Sequence, residues 1–325
     1  MIIPYEALGF PASAPKELHG SGSLSLTWPD LVWAAITVGK PGIAYVFMHS
    51  WHSISDLFVR SHTVYANLCE VNNHIAQSSL YKASDPTEKG ATSFFMGMAA
   101  AKLACSRFLG TPYLFHFSMS RVLGIPIRSQ SKLQPDLLGQ LPNGDWVIVE
   151  AKGRTGRFDA TALDKAKRQT QSVLTINGSS SITRVAAQTY FGPWMKLVLK
   201  DPEPAEETSA HVEIDLQAAY RRYYSLAYEA TQISGDIRQI GTQEYIFSAL
   251  AETNTGIAIG IRSDVRARLA SGLEISRDLV QGDAATGSPM EFDNTSIFPD
   301  GLAVSLDKRW STELMKREPI DRADV

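Results

Sequence analysis

The stretch from Gln134 to Gly153 constrains the fold of this 325-residue chain more than any other. Trp146 to Lys152 is an apolar, β-branched run typical of a strand, and Lys132 to Leu141 can pair with it. The intervening Pro142-Asn143-Gly144 is typical of a tight hairpin connection. The sequence therefore predicts two antiparallel strands joined by a short loop.

The length of that loop determines which side chains of the hairpin share a face. In a three-residue loop the proline takes the first central position of a type I turn, the glycine takes the left-handed bulge position, and Asp136 lies opposite Glu150. A two-residue type I′ turn at Asn143-Gly144 would instead place Asp136 opposite Ala151 and point the two acids apart. We expect the three-residue loop, partly because it brings the carboxylates together.

Side chains alternate along a strand, so Glu150 and Lys152 share the face of Trp146 and Ile148. With Asp136 they supply two carboxylates and one lysine, the minimum set for a divalent metal that cuts phosphodiesters. The alternative is a strand that leaves the core with an incidental Glu and Lys, which is the usual meaning of a Glu-x-Lys triplet. This triplet is, however, the only Asp/Glu-x-Lys in the chain, and a Pro-Asp pair precedes it at hairpin distance.

Pro135-Asp136 followed by Glu150-Ala151-Lys152 resembles the PD-(D/E)xK nuclease superfamily. The resemblance covers residues 85–200 and implies an α/β protein. Its restriction-endonuclease-like core, a mixed central sheet flanked by helices, would carry N- and C-terminal additions. It implies that Asp136 and Glu150 bind Mg²⁺, with Mn²⁺ able to substitute. Ala151 would offer its backbone carbonyl to the metal, and Lys152 would orient or activate the attacking water.

The segment before the hairpin predicts a helix from Glu88 to Leu109 with Thr87 as its N-cap. The resemblance implies a helical glutamate near the metal, and Glu88 is the only candidate in this helix. The alternative role of Glu88 is that of a first-turn acid favoured by the helix dipole.

The segment after the hairpin is a basic loop followed by a predicted helix, Ala160 to Thr175, which Asp159 caps and Asn177-Gly178 ends. Some exonuclease-like branches of the superfamily carry a catalytic glutamine on this helix, and Gln169 is the candidate. The candidate nucleic-acid contacts are basic: Arg154, Arg157, Lys165 and Arg168. A solvated helix face is the competing interpretation of this cluster.

Composition along the chain predicts three parts: a mostly helical N-terminal segment, 1–83, with 1–27 irregular; the nuclease-like core, 84–200; and a C-terminal α/β extension, 201–325. Two candidate strands, Ile182 to Phe191 and Met195 to Lys200, close the core. The acidic, proline-containing run 201–207 is the predicted linker. In the extension we expect a helix from Ala218 to Ile233, a strand from Thr255 to Ile261, a loop from Gln281 to Asp293 and a charged tail after Lys316.

Charge and cysteine content exclude some classes of protein. The net charge of −3 excludes a generally basic nucleic-acid coat, and positive charge is local to Lys152–Arg168. Cys69 and Cys105 are interpreted as free thiols in a reducing compartment. The N-terminus lacks the pattern of a signal peptide, and no apolar run reaches membrane-spanning length, so we expect a cytoplasmic protein without a membrane partner.

The expected function is that of a Mg²⁺-dependent DNA endonuclease in bacterial restriction, defence or repair, acting as a homodimer or in a larger complex. The alternative is a catalytically inactive nuclease-fold subunit that binds nucleic acid or supports assembly. Weaker candidates are a zinc site at His49 and His52, which lacks a complete ligand set, and Arg221-Arg222-Tyr223-Tyr224, interpreted as a helix edge rather than a nucleic-acid contact.

Overall fold

The computed structural model describes residues 1–39, 51–123, 134–201, 210–233, 235–248, 256–276, 290–292 and 295–310. Its strands, numbered in chain order, are β1 (Ile2–Leu8), β2 (Gly20–Ser25), β3 (Leu68–Val71), β4 (His74–Gln77), β5 (Phe115–His116), β6 (Arg121–Leu123), β7 (Leu137–Gln140), β8 (Trp146–Gly153), β9 (Val173–Ile176), β10 (Ile182–Phe191), β11 (Met195–Lys200), β12 (Ala210–Glu213), β13 (Gly235–Ile240), β14 (Gln243–Ser248), β15 (Ile257–Arg262), β16 (Met290–Phe292), β17 (Thr295–Ile297) and β18 (Leu302–Leu306). Its α-helices are α1 (Trp28–Thr37), α2 (Trp51–Asn67), α3 (Ser79–Ala83), α4 (Pro86–Phe108), α5 (Ala160–Gln171), α6 (Leu216–Ile233) and α7 (Ser263–Ala270).

A mixed sheet of nine described strands forms the centre of the molecule, in the order β3-β4-β1-β11-β10-β8-β7-β5, with β2 paired to β1. The hairpin strands β7 and β8 are antiparallel, whereas β8 and β10 are parallel. The chain is therefore a mixed α/β protein, as the sequence predicts. Because β8 has a strand on each side, its backbone is fully within the sheet and its side chains are almost all buried.

Helices cover both faces of this sheet. The apolar side of α5 packs on β10 and β11 through Leu163, Ala166, Ala186 and Val198. On the other face, α4 reaches the end of β8 at Gly153. None of the described helices is both long enough and apolar enough to cross a membrane.

A second sheet, in the order β13-β14-β15-β18-β17-β16, belongs to the C-terminal region and shares a core with the rest of the protein. A buried polar network joins the two regions. Lys102 of α4 donates to the Tyr223 hydroxyl at 2.6 Å, and Tyr223 and the Trp33 indole donate to Asp300 at 2.5 and 2.7 Å. Burial lowers the pKa of Lys102 to about 7, although the charge of Asp300 opposes this shift.

Several sequence-based boundaries are wrong. Residues 1–27, predicted to be irregular, contain β1 and β2, and the sheet runs across the predicted boundary at residue 83. Asp85, rather than Thr87, is the N-cap of α4, because its carboxylate accepts from the amides of Thr87 and Glu88. The helix predicted to reach Thr175 ends at Gln171, since the β-branched run after it pairs with β12 as β9.

Other predicted segments agree with the structure or lie outside it. The strands predicted at 182–191 and 195–200 are confirmed at both ends. The later helix and strand are also present, as α6 and β15, with ends shifted by one or two residues. The predicted loop at 281–293 contains β16, and the rest of it lies outside the described residues. The candidate zinc ligand His49, most of the predicted linker and the charged tail also lie outside them.

Candidate active site

The β7–β8 hairpin has the predicted three-residue loop. Gln140 pairs with Trp146, and the Leu141 amide donates to the Asp145 carbonyl at 2.7 Å. The Gly144 amide donates back to the Leu141 carbonyl at 3.0 Å, and Gly144 has a φ of 90°, the left-handed bulge conformation. The three-residue loop is therefore confirmed, and the two-residue turn is excluded.

That register brings the predicted acids together. Leu137 pairs with Val149, so the next position in each strand places Asp136 opposite Glu150 and on the same face. Asp136 lies just before β7, where its Oδ2 accepts a hydrogen bond from the Ala151 amide at 2.9 Å. The two carboxyl groups are close enough to share a hydrogen bond when one of them is protonated.

Lys152 completes the cluster from the same strand face. Its Nζ donates to Oε1 of Glu150 in an ion pair, while about a quarter of the lysine side chain remains exposed. Glu150 itself is only 1% exposed, and its second oxygen, Oε2, has no hydrogen-bond donor. The cluster thus contains one buried carboxylate oxygen without a hydrogen-bond partner in the described part of the protein.

The burial of this cluster changes the proton affinity of its acids. Burial, and next the negative charge of Asp136, raises the pKa of Glu150 to about 8, although Lys152 opposes the shift. Burial also raises the pKa of Asp136, against the opposing Ala151 amide and Lys152. The pair therefore titrates as a unit that holds one proton near neutral pH.

The donor set fits a hard divalent cation. Asp136 and Glu150 offer carboxylate oxygens, which Mg²⁺ and Mn²⁺ prefer over the nitrogen and sulfur ligands typical of Zn²⁺. Among the described residues no group of three or more His, Cys, Asp or Glu side chains is placed to hold a metal, so water and backbone carbonyls would complete the coordination. The role of the Ala151 carbonyl in that shell stays a prediction.

Glu88 is not brought to this cluster. A Cβ built on Gly153 would lie 1.7 Å from the Ser93 carbonyl, so α4 covers the face of the sheet to which Gly153 points. That face is opposite to the face of Glu150, because the two residues are three positions apart in a strand. Glu88 is exposed in the first turn of α4, where a helix-dipole role explains an acid.

Gln169, in contrast, lies on the side of the sheet that carries the acids. The helix α5 packs on Ala186, the cross-strand partner of Glu150. Gln169 is buried, its Nε2 donates to the Gln134 carbonyl at 3.0 Å, and its Oε1 has no hydrogen-bond partner among the residues that the structure describes. Gln169 therefore anchors the segment that carries Asp136, and a direct catalytic role for it stays a prediction.

The predicted nucleic-acid contacts are exposed in the structure. Arg154 and Arg157 lie in the loop that follows β8, and Lys165 and Arg168 lie on the outer side of α5. Arg154 forms an ion pair with the helix cap Asp159 at 2.8 Å. This surface is accessible to a phosphate backbone, and it is equally compatible with a solvated face.

One residue beside the site, His116, was not recognised from the sequence. His116 ends β5 beside the cluster, because the next amide, that of Phe117, donates to the Asp136 carbonyl at 2.9 Å. Burial lowers the pKa of His116, with the charge of Asp136 opposing the shift and the charge of Arg222 adding to it. No local motif marks His116, since only the pairing of β5 with β7 brings it here.

Comparison with known proteins provides no relative from which a function could be transferred. No family model, curated protein or solved structure matches the chain. The resemblance to the PD-(D/E)xK superfamily therefore rests on the motif residues alone, and any functional argument depends on the geometry described above.

Proposed function

We propose that this protein is a Mg²⁺-dependent nuclease that hydrolyses DNA phosphodiester bonds, with a restriction-endonuclease-like core built around β7 and β8. The observation that carries the proposal is the buried Asp136–Glu150 pair with Lys152 attached to it. Both carboxyl groups can ionise together in this desolvated position only with a compensating cation, and a divalent cation is the ligand that their oxygens fit.

The three side chains would have distinct roles in this reaction. Asp136 and Glu150 would hold the cation, which supplies Lewis-acid stabilisation of the phosphate charge when bound. Lys152 would hold the attacking water on the exposed side of the cluster, where part of its side chain reaches solvent. The Ala151 amide would keep the Asp136 carboxylate directed toward Glu150.

The surroundings support a role in nucleic-acid chemistry. The mixed sheet is covered by α4 on one face and α5 on the other, an arrangement compatible with the expected core. The exposed cations Arg154, Arg157, Lys165 and Arg168 lie in the loop after β8 and on α5, where phosphate contacts would supply affinity. A cytoplasmic role in restriction, defence or repair belongs to this proposal.

A non-cutting nucleic-acid-binding or assembly subunit is the second candidate, and one observation favours it. With a pKa of about 8, Glu150 is largely protonated at neutral pH. A carboxyl pair that shares a proton beside Lys152 can persist without any metal. The fold and the basic surface would then serve binding alone.

Metal-dependent nicking of supercoiled plasmid separates the two candidates. The parent protein should nick DNA in Mg²⁺ or Mn²⁺ and not in EDTA, and Asp136→Asn should lose the activity. Asp164→Asn, an exposed acid on α5, is the matched control and should retain it. If the purified parent cleaves no DNA or RNA with either metal while still binding nucleic acid, the non-cutting candidate is correct.

A further inference from the structure

The strand β13 is an exposed edge of the second sheet. It stands first in the order β13-β14-β15-β18-β17-β16, so within the described part of the chain only β14 pairs with it. Its first five residues are all exposed. The edge strand β3 of the central sheet differs, because it buries Leu68 and Glu70. An exposed strand edge offers backbone donors and acceptors to another strand.

The turn of the β13–β14 hairpin determines which backbone groups face the free edge. The ladder runs up to a two-residue turn, 241–242, whose glycine has a φ of 59°. The pair that closes such a turn exchanges two hydrogen bonds, and hydrogen-bonded pairs then alternate along the ladder. The backbone of Asp236 and Arg238 is therefore bonded to β14, whereas the N–H and C=O of Ile237 point toward the free edge.

Ile237 is the apolar residue in the middle of this edge, and its side chain is 63% exposed. It pairs with Ile246, which pairs with Ile261, so the three side chains form one row on one face of the sheet. Ile261 is fully buried and Ile246 is half-buried. The row therefore ends in solvent at Ile237, where a further strand would extend it and remove the exposed end from water.

The charges on either side of Ile237 indicate which strand this edge accepts. Asp236 and Arg238 flank it with opposite charges, both largely exposed, and form an ion pair with each other at 2.8 Å. When a second β13 lies antiparallel with Ile237 opposite Ile237, Arg238 of each copy lies opposite Asp236 of the other. The strand is thus self-complementary about Ile237, as a symmetric interface between identical subunits requires.

Other registers of the same pairing are less favourable. A pairing centred on Asp236 or Arg238 would place like charges opposite each other, and the backbone of both residues is already bonded to β14. A pairing centred on Gly235 or Gln239 would oppose most of the strand to residues beyond its ends. Among the residues of β13, Ile237 alone combines a free backbone, an exposed apolar side chain and complementary neighbours.

We propose that two copies of this chain pair through β13, antiparallel and about a two-fold axis at Ile237, which joins their six-stranded sheets into one. The two Ile237 residues then exchange both backbone hydrogen bonds, and an Arg238–Asp236 pair forms on each side of the axis. One strand pair buries less area than a standard interface, so the dimer should be weak and depend on concentration. The dimer does not depend on the proposed nuclease activity.

Sedimentation velocity of the full chain measures this dimer over about two decades of concentration centred on about 10 µM. The parent should shift from monomer to dimer across the range. Ile237→Lys should weaken association by at least about tenfold, because it places two cations opposite each other on the axis. Val59→Lys replaces a residue of α2 that is equally exposed, at 64%, and this matched control should dimerise like the parent. A parent that stays monomeric throughout would overturn the proposal.

Charge variants test the register of the pairing. Asp236→Arg leaves two cations on the strand and Arg238→Asp leaves two acids, so each variant alone should be monomeric at low salt. An equimolar mixture of the two should form a heterodimer, because each strand then meets a strand of opposite charge. The double variant Asp236→Arg/Arg238→Asp is again self-complementary and should dimerise like the parent. Dimers that persist in both single variants, or a mixture that stays monomeric, would contradict the pairing.

Amide hydrogen exchange of the parent, resolved by residue, tests the pairing even if a variant fails to fold. The amides of Ile237 and Gln239 face the free edge, so they should exchange more slowly as the protein concentration rises. The amides of Asp236 and Arg238 donate to β14 in the monomer and in the dimer, so their exchange should not change. Exchange that is independent of concentration at all four amides, or that slows equally at all four, would refute the proposed dimer.

Discussion

Replacing Glu150 with Gln should change how the stability of the metal-free protein depends on pH. The substitution keeps the size of a side chain that is 1% exposed and removes its ionisation. Burial raises the pKa of Glu150 from 4.5 to about 8, which corresponds to about 5 kcal/mol of unfavourable free energy when the carboxyl is fully ionised. This penalty is the quantity that the substitution removes.

The sign follows from proton binding. Between pH 4.5 and about 8 the folded protein holds a proton on the cluster that the unfolded chain has released. The free energy of unfolding of the parent therefore falls as pH rises through this window, by about 1.4 kcal/mol per pH unit. Glu150→Gln lacks this contribution. Its free energy of unfolding, relative to that of the parent, should therefore rise by about 3 kcal/mol from pH 5 to pH 7 and should rise no further above pH 8.

Urea unfolding of both proteins in EDTA, at one-unit steps from pH 5 to pH 9, measures this difference. Other groups with raised pKa values, such as Asp201 at about 6, are present in both proteins and largely cancel. Excess Mg²⁺ should stabilise the parent more at pH 8 than at pH 6 and leave Glu150→Gln almost unchanged. A parent-minus-variant difference that is flat from pH 5 to pH 8 would refute the argument that desolvation dominates at this site.

Three further predictions test separate parts of the structure. Lys152→Ala should lower the cleavage rate in saturating Mg²⁺ by roughly 10²- to 10⁴-fold, while its DNA affinity stays close to that of the parent. Full cleavage activity of this variant would exclude a role of the lysine in the reaction. Gly153→Ala should lower the free energy of unfolding, measured in urea, by about 3 kcal/mol, because the new Cβ would clash with the Ser93 carbonyl. The control Gly156→Ala has open space around its Cβ and should change the same quantity by less than about 0.5 kcal/mol. Between about pH 7 and pH 10.5 the unfolded chain binds a proton on Lys102 that the folded protein, in which the pKa of Lys102 is about 7, does not bind. The free energy of unfolding of the parent should therefore rise by about 1.4 kcal/mol per pH unit in this range, and Lys102→Met should lack this rise. Parallel pH profiles of the two proteins would contradict the prediction.

Local sequence patterns are sufficient to predict an element when the segment and its pairing partner are close in sequence. The β7–β8 hairpin needed only an alternating pattern and a proline and a glycine at the two defined loop positions, so its register could be predicted. The strands at 182–191 and 195–200 were predicted at both ends because Gly192 and Pro193 interrupt an otherwise continuous β-branched and apolar run. The Asp136–Glu150–Lys152 cluster belongs to this group, since one hairpin carries all three residues.

The elements that were not predicted from the sequence owe their secondary structure to pairing with strands that are distant in the chain. The Gly-, Ser- and Pro-rich start of the chain has weak strand propensity, yet β1 pairs in parallel with β11 about 190 residues later. The segment after α5 has a helical pattern as far as Thr175, but its pairing with β12 makes it a strand. In both cases the partner, which no local pattern identifies, sets the conformation.

The same distinction applies to the chemistry of the site. The residues that would react lie in one hairpin, whereas their neighbour His116 comes from β5, and Arg222, whose charge acts on His116, comes from α6, more than 100 residues further on. A motif identifies only the first group. The proton on the Asp136–Glu150 pair and the unpartnered guanidinium of Arg222 are consequences of burial, which depends on the whole packed core. Arg221-Arg222 shows this most clearly, because adjacent, identical side chains have opposite environments: one faces solvent, and the other is buried.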